Sequence, residues 1–130
     1  MKISKLLFVL IILFIAFTNM LFSQEIKFDA ENIDVKENGN LIIGYNSNTN
    51  IPGENININS EKAEYNKNKS LLIFTENVII KDEINNVVIE GNKIIYEKNK
   101  NLIFSEGPTK YNIDNKYDIE SENVYFDRAK

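Results

Sequence analysis

The sequence predicts an all-β fold of stacked, bent hairpins, and three features of the chain predict it. A pattern of about thirty residues recurs four times, with copies beginning at Phe28, Ile58, Ile89 and Ile119. Within each copy apolar or small residues alternate with polar ones, a period of two rather than the helical 3.6. The alternation is broken once per copy by two consecutive polar residues and then resumes. A repeat this short cannot bury its own apolar face, so neighbouring copies must stack and share one core.

The first element is not part of the stack. Lys2 and Lys5 precede an apolar run from Leu6 to Phe17, followed by the more mixed Thr18–Ser23. Leu21 and Ser23 fit the −3 and −1 positions of a signal-peptidase site, which makes residues 1–23 a signal peptide and Gln24 the first mature residue. The competing reading is a retained membrane anchor, but Leu6–Phe22 falls just short of the roughly 18–20 residues of a span, and Thr18 and Asn19 interrupt it. No cysteine follows the run, which excludes a lipidated N-terminus. Residues 24–130 then suffice for one modest domain.

In the second copy the inward positions are Ile58, Ser60, Ala63 and Tyr65, and in the third Ile89, Gly91, Ile94 and Tyr96. Two alternating pairs separated by two polar residues describe a strand that turns a corner, at Glu61-Lys62, Asn92-Lys93 and Glu122-Asn123, so that both halves face inward. The abundance of Ile and Val at these positions favours strand over helix. Each copy ends in a polar turn, at residues 36–39, 66–69, 97–100 and 127–130, and a return strand follows. In the return strands Leu71, Ile73 and Thr75 are expected inward, then a corner at Glu76-Asn77, then Val78 and Ile80; Leu41, Ile43 and Tyr45 do the same in the first copy. The third copy is one residue shorter, so Leu102 with Phe104 and Ile103 with Ser105 both remain open as inward pairs. Pro108 falls just past a corner at Glu106-Gly107, where a missing N–H costs least. Asn85-Asn86 and Asp114-Asn115 read as hairpin turns. Asn46–Asn55, nearly devoid of apolar residues and centred on Pro52-Gly53, reads as an exposed loop.

Stacking such hairpins gives two sheets folded face to face, each strand contributing to both. The interior is then either a sealed core or a trough with an apolar lumen, and periodicity alone favours the core.

The chain carries a net charge of −4, and losing Lys2 and Lys5 with the leader makes it more acidic still, which argues against nucleic acid as a partner. It has no Cys and no His, removing disulfides, the usual nucleophile–base pairs and most transition-metal sites. The carboxylates Glu61, Glu76, Glu97 and Asp127 fall at corners and turns, where they are solvated rather than paired for catalysis. Asp114, Asn115 and Asp118 lack the EF-hand spacing and read as a turn. No catalytic residue, metal or cofactor is expected; a binding or conduit protein is.

Ile58–Asn66, Thr75–Ile80 and Ile89–Tyr96, with the leader and the four-copy register, resemble the OstA-like domain of the lipopolysaccharide transport proteins LptA, LptC and the N-terminal part of LptD. Glu37–Ile42 looks closest to the LptD type, and the resemblance covers Glu25–Lys130. It implies a V-shaped double sheet (a β-taco or β-jellyroll) over residues 24–130, located in the periplasm, with association to the outer membrane left open. It implies that acyl chains of lipopolysaccharide lie in the apolar trough, and that members join end to end by strand addition. Residues matching the inward positions are Ile58, Ala63, Tyr65, Ile73, Val78, Ile80, Ile89, Ile94, Tyr96 and Val124. On this reading the interior is a lumen; the alternative is a structural β-solenoid or adhesin-like module with a dry core.

One departure stands out. Nothing resembles the outer-membrane barrel that follows in an LptD protein, and the fourth copy stops at its turn. Either the chain is a fragment of a longer protein, with such a barrel as one continuation, or Tyr117, Ile119, Ser121, Val124 and Phe126 form an open edge awaiting a partner strand.

Overall fold

The computed structural model describes residues 25–129; the leader expected over residues 1–23, its cleavage after Ser23, and Lys130 lie outside the described residues. Eight strands follow one another: β1 (Lys27–Lys36), β2 (Leu41–Ile51), β3 (Ile56–Asn66), β4 (Leu71–Asp82), β5 (Val87–Glu97), β6 (Leu102–Ile113), β7 (Tyr117–Ser121) and β8 (Tyr125–Asp127). They form a single antiparallel meander in the order β1-β2-β3-β4-β5-β6-β7, with β8 continuing the line of β7 after a break and pairing with β6.

Each of β1 to β6 turns a corner, the break between β7 and β8 makes a seventh, and the corners line up. They lie at Glu31, Asn46, Glu61, Glu76-Asn77, Asn92, Gly107 and Glu122-Asn123, about fifteen residues apart, half of the repeat. Left-handed backbone makes several of them: Asn46 has φ 49°, Glu76 67°, Asn77 52° and Gly107 85°. Asn tolerates this region better than most residues, and Gly adopts it freely. Side chains tie adjacent corners together. Asn46 Nδ2 donates to Glu31 Oε2 at 2.7 Å, Asn77 Nδ2 donates to the Glu61 carboxylate, and Gly107 N donates to Asn123 Oδ1 at 3.0 Å.

The crease divides the sheet into two arms. The first holds the chain-terminal halves nearest residues 51, 56, 82, 87 and 113; the second holds those nearest residues 36, 41, 66, 71, 97 and 102. The arms close on one another around one cluster that includes Ile58 and Ile80 from the first and Phe74, Ile94 and Tyr96 from the second, all fully buried. Aromatic pairs span the gap toward both ends of the stack: Phe28 with Tyr65, ring centroids 6.1 Å apart, and Tyr111 with Phe126, 5.8 Å apart. This is the expected V-shaped double sheet.

Three details of the sequence reading are corrected. Asn46–Asn55 is a turn only at residues 52–55: β2 runs through Ile51, and Ser47, Thr49 and Ile51 point inward. Their alternation was masked because two of the three are hydroxyl residues, which satisfy each other across 3.0 Å inside the fold. In β4 the inward residues before the corner are Leu72 and Phe74, not Leu71, Ile73 and Thr75. In β2 the inward row takes Ile42 and Gly44, opposite Tyr65 and Ala63, while Leu41, Ile43 and Tyr45 lie on the other face.

The reason for the β4 slip is a bulge. Between Phe74 and Val78 lie three residues instead of two, and the registers of β4 with both β3 and β5 shift there. The same extra residue sits in β6, between Ser105 and Thr109, where the register with β5 shifts. This resolves the pair left open: Ile103 and Ser105 face inward, opposite Tyr96 and Ile94. The residue missing from the third copy is lost instead at the hairpin tip, where β6 ends at Ile113 and β7 starts at Tyr117.

Candidate functional site: an apolar interior with open ends

Residues directly opposite in an antiparallel sheet share a face, so the interior can be read as rows running across the strands. In the first arm one row passes through Ile58, Ile80, Ile89 and Tyr111 to Ile119. In the second, one passes from Val35 and Ile42 through Tyr65, Leu72 and Tyr96 to Ile103 and Phe126. The rows at the crease carry small residues, such as Ser47, Ser60, Gly91 and Thr109, which let the arms approach. At Gly91 a Cβ would stand 3.4 Å from Thr109 Oγ1, so the crease leaves little room there.

Of the ten candidate lining residues, Ile58, Ala63, Val78, Ile80, Ile89, Ile94 and Tyr96 meet in the buried cluster, and Tyr65 packs against it. Val124 is half-buried in the break before β8, held by two hydrogen bonds with Ser105: it accepts from the Ser105 amide and donates to Ser105 Oγ, each at 2.9 Å. Ile73 is not among them. It lies on the outer face, between Glu64 and Ile95 on the neighbouring strands, because of the β4 bulge. Burial pushes the Tyr65, Tyr96 and Tyr111 hydroxyls up from the ordinary phenol value, as a low-polarity interior should. The Tyr96 hydroxyl donates to Asn101 Oδ1 at 3.3 Å.

Between the arms the interior is closed, and at the two ends of the stack it is open. On β1, Ile33 is 50% and Val35 63% exposed; on β7, Tyr117 is 63% and Ile119 46% exposed. These are members of the same interior rows, left bare because no further strand among the described residues covers them. Of the predicted edge residues, Tyr117, Ile119 and Ser121 lie on the exposed strand β7, whereas Phe126 packs against the core on β8.

Beyond the slips in β2 and β4, two charged interior residues escaped the sequence reading. Asp82 is buried, opposite Ile56 and Val87 in the row nearest the tip of the first arm. Its partner is Arg128, in what reads as a polar turn at residues 127–130. The signal was present: carrying the inward alternation one step past Val78 and Ile80 reaches Asp82, and one step past Val124 and Phe126 reaches Arg128. Among the described residues no group of three or more His, Cys, Asp or Glu side chains could hold a metal ion.

Comparison with known proteins places this geometry. A family model described as LptA/(LptD N-terminal domain) LPS transport protein matches residues 21–102. No match is found among curated proteins. Among solved structures, the crystal structure of LptH, the LptA homologous periplasmic component of the lipopolysaccharide transport device of Pseudomonas aeruginosa, superposes with a TM-score of 0.69. The match spans 80% of this chain and 76% of that one at 12% identity, a likeness of fold. With the family model covering well over half of the chain and the bent, open-ended double sheet to match, the protein belongs to the LptA/LptD N-terminal domain family of lipopolysaccharide transport proteins.

Proposed function

We propose that this chain is a periplasmic conduit that binds lipopolysaccharide by its acyl chains, takes part in carrying it to the outer membrane, and makes or breaks no bond. One observation carries the reading: the interior apolar rows run across every strand and surface, uncovered, at both ends of the stack as Ile33, Val35, Tyr117 and Ile119. A sealed core has no use for bare ends, whereas a trough that continues into a neighbour does. Among the described residues no strand pairs with the outer edges of β1 and β7, so strand addition by other members of the family would align trough with trough. Acyl chains gain roughly 25 cal/mol per Å² of apolar surface buried, without requiring a specific polar contact. Directional movement must draw its energy from elsewhere.

The leader expected over residues 1–23 supports export to the periplasm, and among the described residues no helix is long and apolar enough to cross a membrane. A second reading, a structural β-module with a dry core, is favoured by one fact: Ile58, Ile80, Ile94 and Tyr96 are sealed against each other. One experiment separates the two. A photo-crosslinking amino acid at Tyr65, Ile80 or Tyr96 should capture lipopolysaccharide, and one at Glu64, on the outer face, should not. Equal capture at both kinds of position, or none anywhere, would leave the dry module standing.

A further inference from the structure

Among the described residues the interior is apolar or hydroxyl-lined except at one point. Asp82 is the charged residue among the buried side chains described, and it meets Arg128, whose side chain is 2% exposed. The two come from opposite arms: Asp82 ends β4 at the tip of the first arm, while Arg128 follows β8 at the tip of the second. Arg128 Nε donates to Asp82 Oδ2 at 2.6 Å. Nη1 donates to Glu54 Oε2 at 2.9 Å, and Nη2 to the Glu54 carbonyl at 3.0 Å, both in the β2–β3 turn of the first arm. On its own side, Arg128 is anchored to the β5–β6 turn through Nη1 to Asn101 Oδ1, 2.6 Å, and backbone N to Asn101 O, 3.0 Å. Asp82 is fixed in turn by Asn85, whose backbone N–H and side-chain amide donate to its two oxygens at 3.1 and 2.8 Å.

A buried ion pair is a weak source of net stability, because desolvation offsets most of its attraction, and an apolar pair of similar size serves as well. Every neighbour of Asp82 in its row, Ile51, Ile56, Val87 and Ile113, is such an apolar residue. What the charged pair supplies instead is directional geometry and a low-cost open state, since both groups are well solvated once parted. The guanidinium joins one tip to the other, and it is placed where the arms would have to separate.

We propose that Arg128 is the latch of a lateral mouth: it holds the tips of the two arms together, and access to the interior from the side, rather than along the stack from its ends, requires it to release Asp82 and Glu54. The meaning of that access for acyl chains rests on the conduit reading; the latch itself does not. The absence of native cysteine allows clean labelling. Nitroxides at Ile84→Cys, in the tip turn of the first arm, and Asn99→Cys, in the tip turn of the second, report the gap by pulsed electron resonance in the full chain. The parent should give one narrow distance. Arg128→Gln should lengthen and broaden it while amide exchange in β3–β5 stays slow, and Glu54→Gln should shift it the same way by less. Because Arg128→Gln leaves Asp82 buried without its partner, Glu54→Gln, whose carboxylate is partly exposed, carries the test if the first variant does not fold. An unchanged distance in the folded variants overturns the latch. Fluorescence of 1-N-phenylnaphthylamine, an apolar dye, supplies the second readout: a several-fold rise in the widened variants supports latch and trough together. Widening with no gain in dye signal keeps the latch and sinks the trough.

Discussion

The bulge in β4 decides which of two apolar residues, one position apart, faces the interior, and the consequence is measurable. Phe74 is fully buried, flanked directly by Ala63 and Ile94 in an inward row, while Ile73 sits on the outer face between Glu64 and Ile95 and is only partly covered. Phe74→Ala removes a ring whose space the two arms cannot refill without moving, a change that costs about 3–5 kcal/mol in such sites. Ile73→Ala gives up part of one side chain's burial, about 1 kcal/mol on the same scale. A domain of this size has roughly 5–15 kcal/mol in total, so the first variant should come near its limit and the second should hardly register. At about 4 °C per kcal/mol, the melting points should fall by roughly 12–20 °C and about 4 °C respectively. Urea titration followed by amide circular dichroism and tyrosine fluorescence, with six Tyr and no Trp as reporters, gives both free energies, provided the slope on denaturant stays constant. Equal losses, or a greater one at Ile73, would refute the bulged register and restore the plain two-residue corner.

At Gly107, where φ is 85° and nothing stands within 4 Å of a prospective Cβ, Gly107→Ala should cost about 1 kcal/mol from backbone strain alone. Gly107→Asn should cost less, and the reverse order of urea midpoints would contradict a conformational origin. Burial raises the Asp82 carboxyl, but hydrogen bonds from Arg128 and Asn85 outweigh it and leave the group below the ordinary carboxylate value. A depressed folded pKa stabilises above the unfolded value of about 3.9, and the stabilisation disappears as pH falls through the folded one. Thermal melts between about pH 2 and 5 should therefore show a steeper acid loss for the parent chain than for Asp82→Asn, and parallel curves would deny the pair its linkage.

How much of this was legible depended on whether the two faces of a strand differ in composition. In Ile58–Tyr65 and Ile89–Tyr96 one alternating set is apolar or small and the other largely polar, so both the strands and their inward faces follow from the sequence. In Leu71–Phe74 all four residues are apolar, so alternation cannot select a face; the choice falls to the neighbours, Ala63 and Ile94, and to the extra residue at the corner. Ser47 and Thr49 fail for the opposite reason, being polar by type yet buried, because a hydroxyl that finds a partner inside loses little on leaving water. Asp82 and Arg128 follow the alternation faithfully, but each is a residue type almost never buried unless paired, and the pairing joins strands far apart in sequence.

These same residues explain how one pattern yields an interior that is closed along its length and open at its ends. Each interior row is covered only where strands lie opposite it on the other arm, so the middle strands β3–β5 seal one another while β1 and β7 are left with half of their contacts. Such a stack has no intrinsic stop: the geometry that adds β4 to β3 would equally add a foreign strand to β7, with Tyr117 and Ile119 passing from solvent into a continued row. The crease, built from small residues, is then the hinge about which the arms can part, and the tips, joined through the ion-paired Arg128, are where they would open. Opening would expose the apolar rows to whatever apolar ligand is at hand, and closing would return them to each other. On the conduit reading, a sealed resting state and a lipid-holding state would be two occupancies of one set of side chains, and crosslinking from Ile80 and Tyr96 is what decides between that and a permanently dry core.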